Sequence, residues 1–278
     1  MAMTILTPEK LHQHAPAVFA KQPDHQVSDR YGFVPTIEVV NALQSEGWYP
    51  VRAFQTQVRD RSKSNHAKHL IRFRQDPDRQ IKVGDCLTEL VLTNSHDRTA
   101  AYQLDLGLFR LACENGMVTQ TGELEGIRVK HGKHIVESII EGSLNLTQHV
   151  PKISEAVDHY RATLLSKEEA RLFAQFALAL RYGEDWLSVS PVDPMALLQV
   201  RRTEDHESSL WKVFNRVQEN LFKGGLRGRS SAGRAVKTRA INSVSEDVKL
   251  NRALWQLTEQ FSKLKDGQIA HLALPKVA

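Results

Sequence analysis

Six Lys or Arg, four Gly and no acid stand in the seventeen residues Lys223-Gly-Gly-Leu-Arg-Gly-Arg-Ser-Ser-Ala-Gly-Arg-Ala-Val-Lys-Thr-Arg239. The chemistry open to such a segment is anion binding. Each Lys or Arg that neutralises a phosphate releases condensed counterions, and glycine lets backbone N–H groups approach an anion closely. Lys223, Arg227, Arg229, Arg234, Lys237 and Arg239 are therefore candidate phosphate ligands on a mobile loop. A second basic island, residues 52–82, holds nine Lys or Arg against three acids and adds Arg59, Lys68, Arg72 and Arg74. Each island carries +6, which leaves −7 on the remainder of a chain whose net charge is +5. Two cationic patches on an acidic body favour a specific polyanion site over general adhesion; solvated basic loops are the plainer alternative. Trp48 and Tyr49, just after the Gly47 turn, are the rings best placed to stack on bases, at about 1–3 kcal/mol each. Phe54 and Phe73 read as core.

Other reactive residue types are present without a pattern that names a reaction. His66/His69, His131/His134 and His12/His14 form close pairs, but none has an HExxH spacing, and Cys86 and Cys113 lack ligand spacing, so no metal or cofactor site is specified. In Asn94-Ser95-His96-Asp97 the Ser and His are sequence neighbours, which point to opposite faces of an extended chain; the same letters make a turn. Glu89, Asp97 and Asp105 are available for two-metal chemistry but no motif frames them. The glycine-rich segment lacks the GxxxxGK[ST] of a phosphate loop. No catalytic residue is assigned.

The elements that would position the basic islands follow from periodicity. Residues 1–30 read as a mostly irregular arm with one short helix after Thr7-Pro8. Thr36 is placed to cap a helix that ends at Gly47. Residues 51–59 and 68–75 alternate around a loop of turn formers and predict an antiparallel hairpin, with His69, Ile71 and Phe73 on one face and Lys68, Leu70, Arg72 and Arg74 on the other, cationic, face. Residues 86–93 read as an interior strand, and 117–119 and 126–130 as short strands. Residues 100–113 fit strand spacing at their start and helical spacing at their end. From about Lys133 the period is helical: 134–148, 152–164, 166–182 with a Ser166/Glu169 capping box, 194–201, 208–222, and a last helix from Ser245 to about Lys265. The fold class is α+β, an antiparallel sheet with a basic hairpin in the N-terminal half and a helical C-terminal half. The organisation is an arm (1–30), an α+β region (31–132) and a helical region (133–278).

With 41% apolar and 25% charged residues the chain is not disordered in bulk. No apolar run reaches membrane-spanning length, and the N-terminus has no secretory pattern. Two cysteines without a CxxC motif fit reduced thiols, so the expected compartment is the cytoplasm.

Four blocks together carry a resemblance: Tyr31 to Arg59 with Gly-Trp-Tyr-Pro-Val-Arg at 47–52; His66-Ala-Lys-His-Leu-Ile-Arg-Phe-Arg74; Thr93-Asn-Ser-His-Asp97 through Leu-Phe-Arg-Leu-Ala-Cys-Glu-Asn-Gly-Met-Val118; and Asn220 to Trp255, ending Leu-Asn-Arg-Ala-Leu-Trp. In these the chain resembles the uncharacterised phage/plasmid-type family called domain of unknown function 932. The resemblance implies a mobile-genetic-element setting and transfers no catalytic residues. The resulting expectation is a protein that grips single-stranded DNA by its backbone, in support of replication, recombination or annealing. An oligomer would give it a continuous basic track. A second reading is a counter-defence protein that binds a host protein. A third is a metal-dependent enzyme on nucleic acid using His96, Asp97 and the His131/His134 pair.

Overall fold

The computed structural model describes residues 5–25, 32–58, 60–75, 86–97, 99–110, 115–118, 126–129 and 134–275. The chain divides into two compact units, residues 1–111 with 123–150, and residues 112–122 with 151–278. Among the described residues no helix is long and apolar enough to cross a membrane.

In the first unit, the short helix expected after Thr7-Pro8 is present and is followed by buried residues. Helix α1 (Pro8–His14) starts where the Thr7 hydroxyl accepts the Lys10 amide at 3.4 Å and Pro8 supplies a preset φ. A 3-10 turn (Pro16–Phe19) follows, and Leu11, Ala15, Ala17 and Val18 are buried. Helix α2 (Thr36–Ser45) buries Val39, Val40 and Leu43. It ends at Gly47 in the left-handed region (φ 81°), where the Trp48 amide returns to the Leu43 carbonyl at 2.9 Å. Pro35, not Thr36, occupies the cap position.

Strands β1 (Tyr49–Gln55), β2 (His69–Arg74), β3 (Cys86–Asn94) and β4 (Tyr102–Arg110) pair antiparallel in chain order. Strand β5 (Asn115–Val118) falls in the second unit, and β6 (Ile127–Val129) pairs with the start of β4. The region that was ambiguous between strand and helix is thus strand β4. Register fixes two faces. One carries the row Ala53–Ile71–Leu92–Leu104–Ile127. Helices α2 and α3 (Ile135–Thr147) cover it, and α3 comes so near that a β-carbon on Gly142 would lie 2.8 Å from Ile127 Cδ1. The other face carries the row Arg52–Arg72–Val91–Asp105, with Arg74 and Glu89 beside it.

The second unit is helical: α4 (Val150–Ala162), α5 (Lys167–Tyr182), the single turns α6 (Trp186–Val189) and α7 (Pro194–Leu197), α8 (Leu210–Lys223) and α9 (Val244–Lys265). The capping box that opens α5 is present, with the Ser166 amide donating to Glu169 at 2.6 Å and the Glu169 amide to Ser166 Oγ at 3.1 Å. Rings make the core. Trp255 on α9 meets Tyr160, Phe214 and Trp211 at 5.7, 6.1 and 6.5 Å, and Phe173 meets Phe261 at 5.1 Å. Such edge contacts add to the area the rings bury. Ser243, rather than Ser245, caps α9.

Candidate nucleic-acid interface

The basic segment 223–239 is not a mobile loop but a small β-hairpin rooted on α8. Gly224 (φ 61°) and Gly225 (φ 78°) end the helix in backbone that favours glycine. At Gly224 the outgoing chain passes so close to the incoming one that a β-carbon there would lie 2.6 Å from the Arg239 carbonyl carbon. Strands β7 (Arg227–Arg229) and β8 (Ala235–Lys237) pair antiparallel, Arg227 opposite Lys237 and Arg229 opposite Ala235. The tip closes by the Ser230 amide on the Arg234 carbonyl (2.9 Å) and the Gly233 amide on the Ser230 carbonyl (2.8 Å). Period-2 alternation puts Arg227, Arg229 and Lys237 on one face and Gly228 and Val236 on the other. The Gly228 face rests on the chain at Pro191, whose carbonyl accepts the Arg229 amide at 2.8 Å.

Two further arginines hold the base. Arg181 donates to the Leu221 carbonyl and, at 2.6 Å, to the Arg239 carbonyl. Arg201 donates to Asn220 Oδ1 at 2.5 Å and to the Gly224 carbonyl at 2.6 Å. These guanidinium groups satisfy carbonyls that the end of α8 leaves open and complement its negative pole. Lys223 pairs with Glu219 at 2.9 Å, and Arg202 shares that carboxylate at 3.1 Å. Lys223 therefore belongs to the anchor. Arg227, Arg229, Arg234, Lys237 and Arg239 are exposed. Among the described residues the side chains of Arg227, Arg234, Lys237 and Arg239 have no hydrogen bond or ion pair, and Arg229 has one weak contact, to the Gly233 carbonyl at 3.3 Å.

The first basic island is different. Arg72 and Arg74 do share the predicted face, but that face is covered. They are 2% and 1% exposed and converge on Glu89, fully buried in β3. Arg72 Nη1 lies 3.1 Å from Glu89 Oε2, and Arg74 Nε and Nη2 lie 2.8 and 2.6 Å from Oε1. The two guanidinium groups share the Glu89 carboxylate and are buried away from solvent. Lys68 is half-buried. Trp48 is also corrected: at 3% exposure it is a core ring, because the Gly47 turn folds it back toward Leu43. Tyr49 is half-buried. Arg59, Cys113 and His131 lie outside the described residues. The sequence expectation therefore splits. The hairpin brings together the 227–239 cations, whereas Arg72 and Arg74 of the first island are buried.

A cluster that sequence spacing did not reveal surrounds the Thr36 hydroxyl. Its oxygen lies 2.9 Å from His69 Nε2, 3.0 Å from His96 Nε2 and 3.1 Å from Asn94 Nδ2, all buried. His69 Nδ1 lies 3.0 Å from the Ala67 carbonyl, which can only accept, so Nδ1 carries the proton and Nε2 accepts from Thr36. The Thr36 oxygen then accepts from Asn94 and from His96 Nε2–H, while the Tyr102 hydroxyl donates to the Val34 carbonyl at 2.9 Å. Burial pushes His69 down to about 4, so it is neutral at neutral pH. The cluster ties α2 to β2, β3 and β4 and offers no open face to a substrate. Ser95 is engaged in the turn, accepting the Ala100 amide at 2.8 Å, and His96 Nε2 is directed to the Thr36 hydroxyl at 3.0 Å. Among the described residues no group of three or more His, Cys, Asp or Glu is arranged to hold a metal ion.

Residues 24–255 match the family described as domain of unknown function (DUF932), and the chain belongs to that family. It is 40% identical over 255 residues to the UPF0380 protein YafZ of Escherichia coli (strain K12), covering 91% of this chain and 90% of the relative. The same figures hold for the UPF0380 protein YfjQ of the same organism. No solved structure matches the chain.

Proposed function

We propose that this protein binds nucleic acid through the phosphate backbone, and that the β7–β8 hairpin is the contact. The observation that carries the reading is Arg227 standing directly opposite Lys237 on a two-stranded ribbon. Like charges so placed repel, and an anion laid across them relieves the repulsion. The hairpin is held from behind by Gly228, Arg181 and Arg201, so its cations are presented without a large ordering cost on binding. The ligand is single-stranded DNA, and the setting is the cytoplasmic replication, recombination or annealing of a mobile element, as the family resemblance implies. An oligomer would align several hairpins into one track.

Reversing two charges tests this. Arg227→Glu with Lys237→Glu leaves the buried core untouched and lowers affinity for a fluorescein-labelled oligonucleotide by about a hundredfold at low salt, since two phosphate contacts become repulsions. Equal affinity of the variant and the parent would overturn the reading. Absence of any binding by the parent would move attention to a protein partner.

A further inference from the structure

The first unit holds a cavity of about 430 Å³, lined by α1, the 3-10 turn Pro16–Phe19, the segment that follows it, and a second 3-10 turn, Arg61–His66. Its walls are tied together by hydrogen bonds. Gln55 on β1 accepts the Ala17 amide at 3.1 Å and donates to the Ser64 carbonyl at 3.1 Å and to Ser64 Oγ at 3.3 Å, so one side chain holds both 3-10 turns. His66 Nε2 lies 3.2 Å from the Gln22 carbonyl. A carbonyl can only accept, so Nε2 carries the proton and joins the second turn to the segment after the first. The cavity is therefore built before a ligand arrives, and its size is that of a small-molecule site.

The lining divides by chemistry. Pro16, Phe19 and His12 supply an apolar, aromatic part, with the Phe19 and His12 rings 5.3 Å apart and tilted by 56°. Lys21 and Asn65 supply a cation and an amide, and among the described residues neither side chain has a hydrogen bond or ion pair. No Asp or Glu is among the described lining residues. The Asp24 carboxylate is buried against two histidines, 3.3 Å from His25 Nδ1 and 3.8 Å from His66 Nδ1. An ammonium with no carboxylate partner favours an anion, and phosphate suits it. Aromatic rings give a planar heterocycle a face to stack on, and a side-chain amide can both donate to and accept from its edge. A mononucleotide meets all three demands at this size. We infer that the cavity is a site for a free nucleoside monophosphate, with the phosphate at Lys21, the base against Phe19 and His12, and Asn65 at the base edge. This site is independent of the hairpin, which belongs to the second unit.

Isothermal titration tests this, with AMP, GMP, CMP, UMP and inorganic phosphate as probes. The proteins are the parent, Lys21→Gln, His12→Ala, Asn65→Asp and the hairpin variant Arg227→Glu/Lys237→Glu. His12, Lys21 and Asn65 are exposed, and a thermal melt confirms that each variant is folded. At least one of the four nucleotides is expected to bind the parent about tenfold or more tighter than phosphate, since the ring subsite adds to the anion subsite. Lys21→Gln is expected to weaken that nucleotide by about tenfold, the scale of one charge-assisted hydrogen bond, and His12→Ala by about fivefold, the scale of one stacking contact. Asn65→Asp keeps the shape and adds a repelling charge, so it weakens the nucleotide as well. The hairpin variant binds it as the parent does. A parent that binds none of the four at concentrations on the order of millimolar, or that binds phosphate as tightly as any of them, overturns the inference. So does nucleotide binding that Lys21→Gln and Asn65→Asp leave unchanged. These outcomes leave the hairpin reading standing. If the hairpin variant alone loses the nucleotide, the nucleotide sits on the hairpin, which overturns the cavity site and supports the backbone contact.

Discussion

A β-carbon on Gly228 would stand 1.9 Å from the carbonyl oxygen of Pro191. That separation is far inside contact distance, and the obstacle is backbone, which cannot swing aside as a side chain would. The hairpin can lie on the Ser190–Val192 chain only because residue 228 has no side chain, and its three same-face cations are turned outward by the same contact.

Gly228→Ala is therefore expected to lift β7 off Pro191 and weaken oligonucleotide binding by about tenfold through lost pre-organisation, while the helical circular dichroism of the protein stays unchanged. Binding equal to the parent's would mean that hairpin placement is irrelevant to the ligand.

Glu89 is expected to matter for stability and not for binding. Its carboxylate holds two buried guanidinium groups, and removing one partner of a buried pair leaves uncompensated charge, at about 3–5 kcal/mol. Urea unfolding of Glu89→Gln should show a loss of that order. At temperatures where the variant remains folded, its oligonucleotide affinity should equal the parent's. A Glu89→Gln protein as stable as the parent would contradict the geometry of the Arg72–Glu89–Arg74 cluster.

The Thr36 cluster predicts an acid-sensitive fold. His69 has its folded pKa depressed from 6.5 to about 4, so between those values the unfolded chain binds a proton that the native chain does not. Stability from this group is complete above about pH 6.5 and falls as pH drops toward 4, by on the order of 3 kcal/mol. Urea midpoints across that window should decline with falling pH, and His69→Gln should flatten the decline. Thr36→Val should cost about 1–3 kcal/mol at pH 7 by orphaning buried nitrogens. A parent stability that does not change between pH 6.5 and 4 would remove the neutral-histidine assignment.

Local rules made much of this fold legible. The Ser166/Glu169 box, the glycine after α2 and the alternation in β2 each rest on interactions within a few residues, and each is present in the structure. What failed was non-local. Alternation says that Arg72 and Arg74 share a face with Lys68, but not whether that face is covered; Glu89, the one charged residue of strand β3, was the available signal that a buried cation must sit beside it. His69 and His96 are separated by 26 residues in sequence and meet because β2 pairs with β3, which no spacing rule encodes. The hairpin has three residues in each strand, too few to display a period, so its charge was legible and its geometry was not.

The most direct test of the central claim is the salt dependence of oligonucleotide affinity, measured by fluorescence anisotropy on the unmodified protein from low to physiological ionic strength. Five exposed cations that contact four or five phosphates of a single strand predict a log–log slope of about −3, which becomes shallower by about 0.7 for each of Arg227, Arg229, Arg234, Lys237 and Arg239 replaced by Ala. A slope near zero, or a steep slope that these replacements leave unchanged, would contradict the assignment of the hairpin as the nucleic-acid contact.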